Sequence, residues 1–217
     1  MKKILAAFML ATMFSSHTIW GEGMKTVELP KPKVKGGVSV EEAINKRRSV
    51  RSYSGRELTL DQASQLLWAC QGMTGEGRGL RAAPSAGALY PLEIYLVKGD
   101  GVFHYLPEGH RMEEISAKDV RAALTAACFG QRYIEEAGLA IVISAVYERV
   151  SGKYGQRGVR YTDMEAGHAA QNVFLQAEAM GLASLPIGAF DEEAVAKVIG
   201  APSGHKPVYV LPVGYRK

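Results

Sequence analysis

Small apolar residues recur at helical spacing through the second half of the chain, at Ala166, Ala169, Ala170, Val173, Phe174 and Ala177. Thr162 and Glu165 have the spacing of a capping box, which predicts a helix starting near Asp163. Gly181 suits the left-handed residue that ends such a helix. Most other positions are alanine or glycine, so the helix is apolar nearly all round and belongs inside a domain. Glu165, His168, Asn172 and Gln176 follow at intervals of three, four and four, forming one polar stripe along this cylinder. Buried polar groups need partners. Either the stripe bonds loop backbone and neighbouring helices, or it forms a polar wall beside a ligand or subunit interface.

The same reading predicts the remaining elements. Ser39 with Glu42 opens a short helix through Lys46, and Thr59 with Gln62 opens another whose apolar positions are Ala63, Leu66, Leu67 and Cys70. Residues 93–97 and 102–105 read as strands joined through Gly99-Asp100-Gly101 as a hairpin. Residues 116–127 and 131–137 look helical. The unbroken apolar run 139–146, rich in β-branched residues, suits a central strand buried on both faces. A short extended segment is expected over 182–185, a helix capped by Asp191 to Ile199, and a last strand over 208–213. Helices and strands mix without a regular βαβ repeat, which predicts an α+β layered domain.

At 217 residues, with 47% hydrophobic and 22% charged residues, the chain has the composition of one globular domain. Met1-Lys2-Lys3 and the apolar run 4–14 have the layout of a secretory signal peptide, and the run is too short to span a membrane. This divides the chain into a signal peptide or anchor over 1–21, a linker or arm over 22–37 rich in lysine, glycine and proline, and a domain over 38–217. Export to the periplasm is the expectation; a start at Met24 would leave the protein in the cytoplasm. The formal charge of +4 falls to about +2 without Lys2 and Lys3, too little to argue for nucleic acid. Cys70 and Cys128 form no metal-ligand pair and read as two buried thiols, bridged only if they meet in space.

Candidate chemistry sits in three places. Arg47, Arg48, Ser49 and Arg51 lie just beyond a helix end, where arginine forks and a hydroxyl suit a monophosphate, although a solvated basic face reads equally well. Gly72 to Gly79 is a glycine-rich loop without the Gly-Lys-Ser/Thr ending of a nucleotide P-loop. The small residues of Pro84-Ser85-Ala86-Gly87-Ala88 let backbone and Ser85 approach a ligand, but they form no Gly-x-Ser-x-Gly elbow, which argues against hydrolase chemistry. The histidines show no spacing that suits a metal. In Pro186-Ile187-Gly188-Ala189, proline removes a donor and glycine allows close approach by something such as a flat cofactor.

Taken in order, Arg47-Arg-Ser-Val-Arg-Ser-Tyr53, Pro84-Ser-Ala-Gly-Ala-Leu-Tyr-Pro91, Glu165-Ala-Gly-His168, Pro186-Ile-Gly-Ala-Phe190 and Pro212-Val-Gly-Tyr215 resemble the nitroreductase superfamily, most closely its SagB/ThcOx-type dehydrogenase branch. The resemblance covers essentially residues 38–217. It implies a layered α+β domain with a mixed central sheet flanked by helices and a long buried central helix. It also implies an intertwined homodimer with two FMN sites at the subunit interface, and NADH or NADPH as electron donor. Arg47, Arg48, Ser49 and Arg51 would hold the phosphate and ribityl chain, with Arg216 as a further phosphate partner. Pro84, Ser85 and Gly87 would line the isoalloxazine, and Pro186, Ile187, Gly188 and Ala189 would lie along its other side. In azoline-oxidising relatives a Lys-Tyr pair is taken as catalytic; Lys153-Tyr154 looks like that pair, with an exposed loop pair as the alternative.

Overall fold

The computed structural model describes residues 25–75 and 77–217; the expected signal peptide lies outside them. In chain order the elements are β1 (Thr26–Glu28), α1 (Val40–Lys46), α2 (Leu60–Gln71), β2 (Met73–Thr74), β3 (Leu80–Arg81), a 3₁₀ turn (Ala86–Ala88), β4 (Leu92–Lys98), β5 (Gly101–Leu106) and β6 (Arg111–Ser116). There follow α3 (Arg121–Ala127), α4 (Tyr133–Glu136), β7 (Leu139–Ala145), α5 (Glu148–Tyr154), α6 (Arg157–Ala179), β8 (Ala183–Ser184), α7 (Glu192–Val198) and β9 (Lys206–Gly214). A seven-stranded sheet in the order β1-β6-β5-β4-β7-β9-β8 runs through the middle, and its strand pairings are antiparallel. Strand β7 is buried at every residue between β4 and β9, as its apolar run requires.

Each face of the sheet carries its own core. Leu66, Leu67, Ala83, Ile141, Ala169, Val173 and Leu211 belong to the face covered by α2 and α6. Cys128, Ile134, Val142, Leu185, Ile187, Val195 and Ile199 belong to the face covered by α3, α4 and α7. Cys70 and Cys128 fall on opposite faces, both free and buried, so they do not bridge.

Helix α6 starts earlier than its expected cap. Thr162 Oγ1 donates back to Gly158 O at 2.9 Å inside the helix, and Glu165 is buried, so the apparent capping box is two interior polar residues. Its end is as read: Gly181 has φ +72°, Gly181 N–H donates to Glu178 O and Leu182 N–H to Ala177 O, a Schellman motif. The Thr59–Gln62 box forms in full, and Ser39 and Asp191 cap α1 and α7. Three other expectations change. Residues 111–116 are strand β6, which confines the helix expected over 116–127 to α3. The glycine-rich loop holds the β2–β3 hairpin. Thr26–Glu28 of the arm adds a strand to β6, and the arm is pinned where Pro30 O accepts from Ser64 Oγ at 2.6 Å.

Candidate functional site

The segment after α1 is pulled alongside the C-terminus. Ser49 bridges to Ser184, Tyr53 bridges to Arg216, and Ser54 N–H donates to Tyr215 O at 3.0 Å. This gathers Arg47, Ser49, Arg51 and Arg216 at the β8 edge of the sheet. Ser49 and Arg51 are exposed and Arg47 half-buried, whereas Arg48 folds back to donate to the carbonyls of Asn45 and Arg47. Arg216 donates to Glu178 Oε2 at 2.6 Å near the end of α6. In the same region Ile187 exchanges both backbone hydrogen bonds with Val210, which fixes the segment over 186–189 beside β9. Pro186, Gly188 and Ala189 remain exposed.

Gln131 was not singled out by sequence, yet its Nε2 donates to Ala189 O at 2.9 Å and to Cys128 O at 2.8 Å, and its Oε1 accepts from Tyr133 OH. It braces the 186–189 segment from the α3–α4 connection, on the same core that Leu185 and Ile187 join. A glutamine between two short helices carries no sequence signal for such a role.

A second group forms around Pro84–Tyr90. Gly87, Ala88 and Tyr90 all have positive φ, at +65°, +54° and +45°. Three positive-φ residues within four positions, broken only by right-handed Leu89 and two of them not glycine, persist only where surroundings hold them. Ser85 Oγ accepts from Tyr90 N–H at 2.9 Å, Arg149 Nη1 donates to Tyr90 O at 3.1 Å, and the Arg81 guanidinium lies 4.7 Å from the Tyr90 ring centre. Arg149 also pairs with Glu93, whose other oxygen meets His104 Nε2 at 2.7 Å. Burial opposes ionisation of Glu93, but His104 and Arg149 outweigh it and hold the carboxyl down to about 2. The signal for this brace was a lone acid inside the apolar run of β4.

Lys153 and Tyr154 occupy the last turn of α5, one turn beyond Arg149, and not a loop. A Cβ added to Gly87 would lie 2.8 Å from Tyr154 Oη and 3.1 Å from Lys153 Nζ, so the pair stands directly over the glycine. Pro84, Ser85 and Ala86, with Tyr161, Met164, Glu165 and His168 of α6, line a cleft of about 290 Å³.

The polar stripe divides. Asn172 donates to Ala82 O at 3.3 Å, Gln176 Oε1 accepts from Gln65 at 3.0 Å, and Glu165 Oε1 accepts from Gln71 at 3.3 Å. These three tie α6 to its neighbours, while His168 faces the cleft and is exposed. Burial raises the Glu165 carboxyl, against the pull of Ser85, Gln71 and Arg81.

The expected site residues therefore fall into two groups within one chain. Glu165, beside Ser85, and Glu178, paired with Arg216, are 13 residues apart on α6, about 20 Å at 1.5 Å per residue. Leu185 and Ile187 belong to one core and Ala83 to the other. Among the described residues no cluster of three or more His, Cys, Asp or Glu could hold a metal ion, and no helix is long and apolar enough to cross a membrane.

Comparison with known proteins places this arrangement. A nitroreductase-family protein of Methanocaldococcus jannaschii is 40% identical over 195 residues, covering 87% of this chain and 96% of that one. The microcin B17-processing protein of Escherichia coli is 29% identical over 130 residues, covering 55% of this chain and 48% of that protein. A crystal structure described as a nitroreductase from Ralstonia eutropha superposes with a TM-score of 0.79 at 25% identity, covering 91% and 92% of the two chains. The Nitroreductase family model matches residues 44–215, and the chain belongs to that family.

Proposed function

We propose that this oxidoreductase depends on FMN and acts between NADH or NADPH and a small electron acceptor such as a nitroaromatic or quinone. The residues present fit the cofactor: exposed Ser49 and Arg51 beside Arg47 suit a phosphate, and the Gly87 position would be filled by any side chain. When bound, FMN supplies hydride chemistry at its N5 atom. Arg47, Ser49 and Arg51 would hold the phosphate and ribityl chain, with Arg216 joining once it leaves Glu178. Arg48, turned onto the end of α1, would stiffen the clamp more than touch the ligand. Ser85 and Gly87 would face one side of the ring system, and the backbone of Gly188 and Ala189 the other.

The observation that carries this reading is the separation of these groups by about 20 Å along α6. One chain supplies a phosphate clamp and a ring-facing strip that do not meet, and a second copy would complete each site. A homodimer with two interfacial sites follows as part of the proposal. Residues 1–21 would direct export of this dimer, which fractionation of the native host would test.

A second reading is favoured by Lys153 and Tyr154 standing over Gly87. There the protein is a SagB-type dehydrogenase oxidising an azoline or similar substrate, with Lys153 and Tyr154 taking and relaying the substrate proton. The similarity to the microcin B17-processing protein supports it. Anaerobic assays separate the two. NAD(P)H consumption with menadione or nitrofurazone supports the first, and azoline-peptide oxidation abolished by Lys153→Ala or Tyr154→Phe supports the second. Tight FMN binding with neither activity would leave a flavin carrier or sensor and overturn both.

A further inference from the structure

Glu165 is 2% exposed and Gln71, the last residue of α2, is 0% exposed. Gln71 Nε2 donates to Glu165 Oε1 at 3.3 Å. The two remaining oxygens of this pair, Glu165 Oε2 and Gln71 Oε1, are buried and have no hydrogen-bond partner. Native interiors rarely leave such groups unsatisfied. Carboxyl and carboxamide are each planar with two polar atoms on one carbon. With the first pair of atoms bonded, one proton shared by the second pair would close a reciprocal acid–amide ring.

We infer that Glu165 is a neutral carboxylic acid, donating through Oε2 to Gln71 Oε1 while accepting from Gln71 Nε2, and that this reciprocal pair ties α6 to α2 behind Ser85. One proton then satisfies both orphaned oxygens. Burial is the largest influence on Glu165 and favours the neutral acid; it outweighs the hydrogen bonds from Ser85 of the loop and Gln71 of α2, both uncharged, and the positive charge of Arg81 of β3, all of which favour the carboxylate. Tyr161 and His168 lie about one turn away on α6 itself, and Lys153 and Tyr154 of α5 stand beyond Ser85 at Gly87.

Glu165 is then a positioning residue: it fixes the strip that carries Ser85 and keeps negative charge out of the cleft wall. If the strip faces a flavin, a consequence that rests on the proposed function, the neutral acid leaves the electrons of the reduced ring unopposed. Ionising it would disfavour reduction.

Infrared difference spectra of the full chain without flavin, wild type against Glu165→Gln, test the pair directly. A glutamine at 165 makes the same two bonds with Gln71, so this variant retains the fold. The protonated-carboxyl stretch is expected in wild type at neutral pH, shifted in D₂O and missing from the variant. A wild-type spectrum without that band overturns the inference. Stability gives a second readout. A carboxyl raised in the folded state favours folding below its unfolded value near 4.5 and loses that advantage as pH rises through the folded value. Wild type should therefore lose stability relative to Glu165→Gln as pH rises, and a flat or closing gap overturns the inference. If Glu165→Gln fails to fold, Gln71→Met with [¹³C]glutamate labelling serves instead: the band persists and moves to higher frequency on losing its acceptor, and an unmoved band overturns the pairing. These measurements need no flavin. A protein that takes up no FMN would sink the proposed function and leave the acid–amide pair standing.

Discussion

Replacing Gly87 by alanine isolates the contact on which the Lys153–Tyr154 reading rests. Gly87 sits at φ +65°, ψ 17°, where a Cβ costs about 1–2 kcal/mol. Alanine also restricts the unfolded chain, returning about 0.4–1 kcal/mol. The net backbone effect is a loss of about 1 kcal/mol, a fall of about 2–4 °C in Tm for a chain of this size. The new methyl would lie 2.8 Å from Tyr154 Oη and 3.1 Å from Lys153 Nζ. Both are far ends of flexible side chains, so swinging away adds little to the stability cost but moves the pair off the strip. Urea unfolding should show the small loss, while kcat of whichever reaction the protein supports falls further than stability predicts. Gly152→Ala, in the helical part of α5 with no atom within 4 Å of its added Cβ, serves as the control and gains about 0.5–1 kcal/mol. A Gly87→Ala protein as stable as wild type would refute the backbone argument. Normal stability loss with wild-type dependence on Tyr154 would refute the contact.

Arg47→Ala with Arg51→Ala should raise the FMN dissociation constant by at least about tenfold, since a charge-assisted hydrogen bond contributes about 1.5–3 kcal/mol; an unchanged constant removes the clamp. Mixing that variant with Gly87→Ala chains should restore flavin binding and turnover at one site per mixed dimer, whereas a site complete within one chain predicts no rescue. The Glu93 carboxyl, held down to about 2, stabilises the fold above its ordinary value of 4.5, and this contribution disappears as pH falls through about 2. Acid titration of Glu93→Gln should therefore be flatter than that of wild type over this range, and parallel curves would contradict the brace. Burial pushes the Cys128 thiol up to about 12 and the Cys70 thiol higher, so neither should react with a thiol reagent until the chain unfolds. Rapid labelling of native protein would show that the cores open.

The periodicity of α6, β7 and the β4–β5 hairpin was legible because their apolar positions face cores that the chain itself supplies. The start of α6 was not. Thr162 and Glu165 are polar residues buried by tertiary contacts, and one-dimensional spacing cannot distinguish them from a surface cap. Strand β6 reads Arg-Met-Glu-Glu-Ile-Ser, mostly polar, and owes its conformation to pairing with β5 and β1. For the candidate site, the motifs single out residues that the fold gathers into two groups, but not that Arg216 is held by Glu178 or that Gln131 braces Ala189. The roles of Arg149 and Gln71 depend on partners 56 and 94 positions away in the chain, a separation that local pattern does not reveal.

Whether this protein binds FMN and uses it is tested most directly by an anaerobic absorption spectrum of the purified, FMN-equilibrated protein after removal of free flavin, before and after NADH or NADPH is added. The two bands of oxidised protein-bound flavin are expected, bleached by one of the donors. A protein that retains no flavin after equilibration would contradict the proposed function.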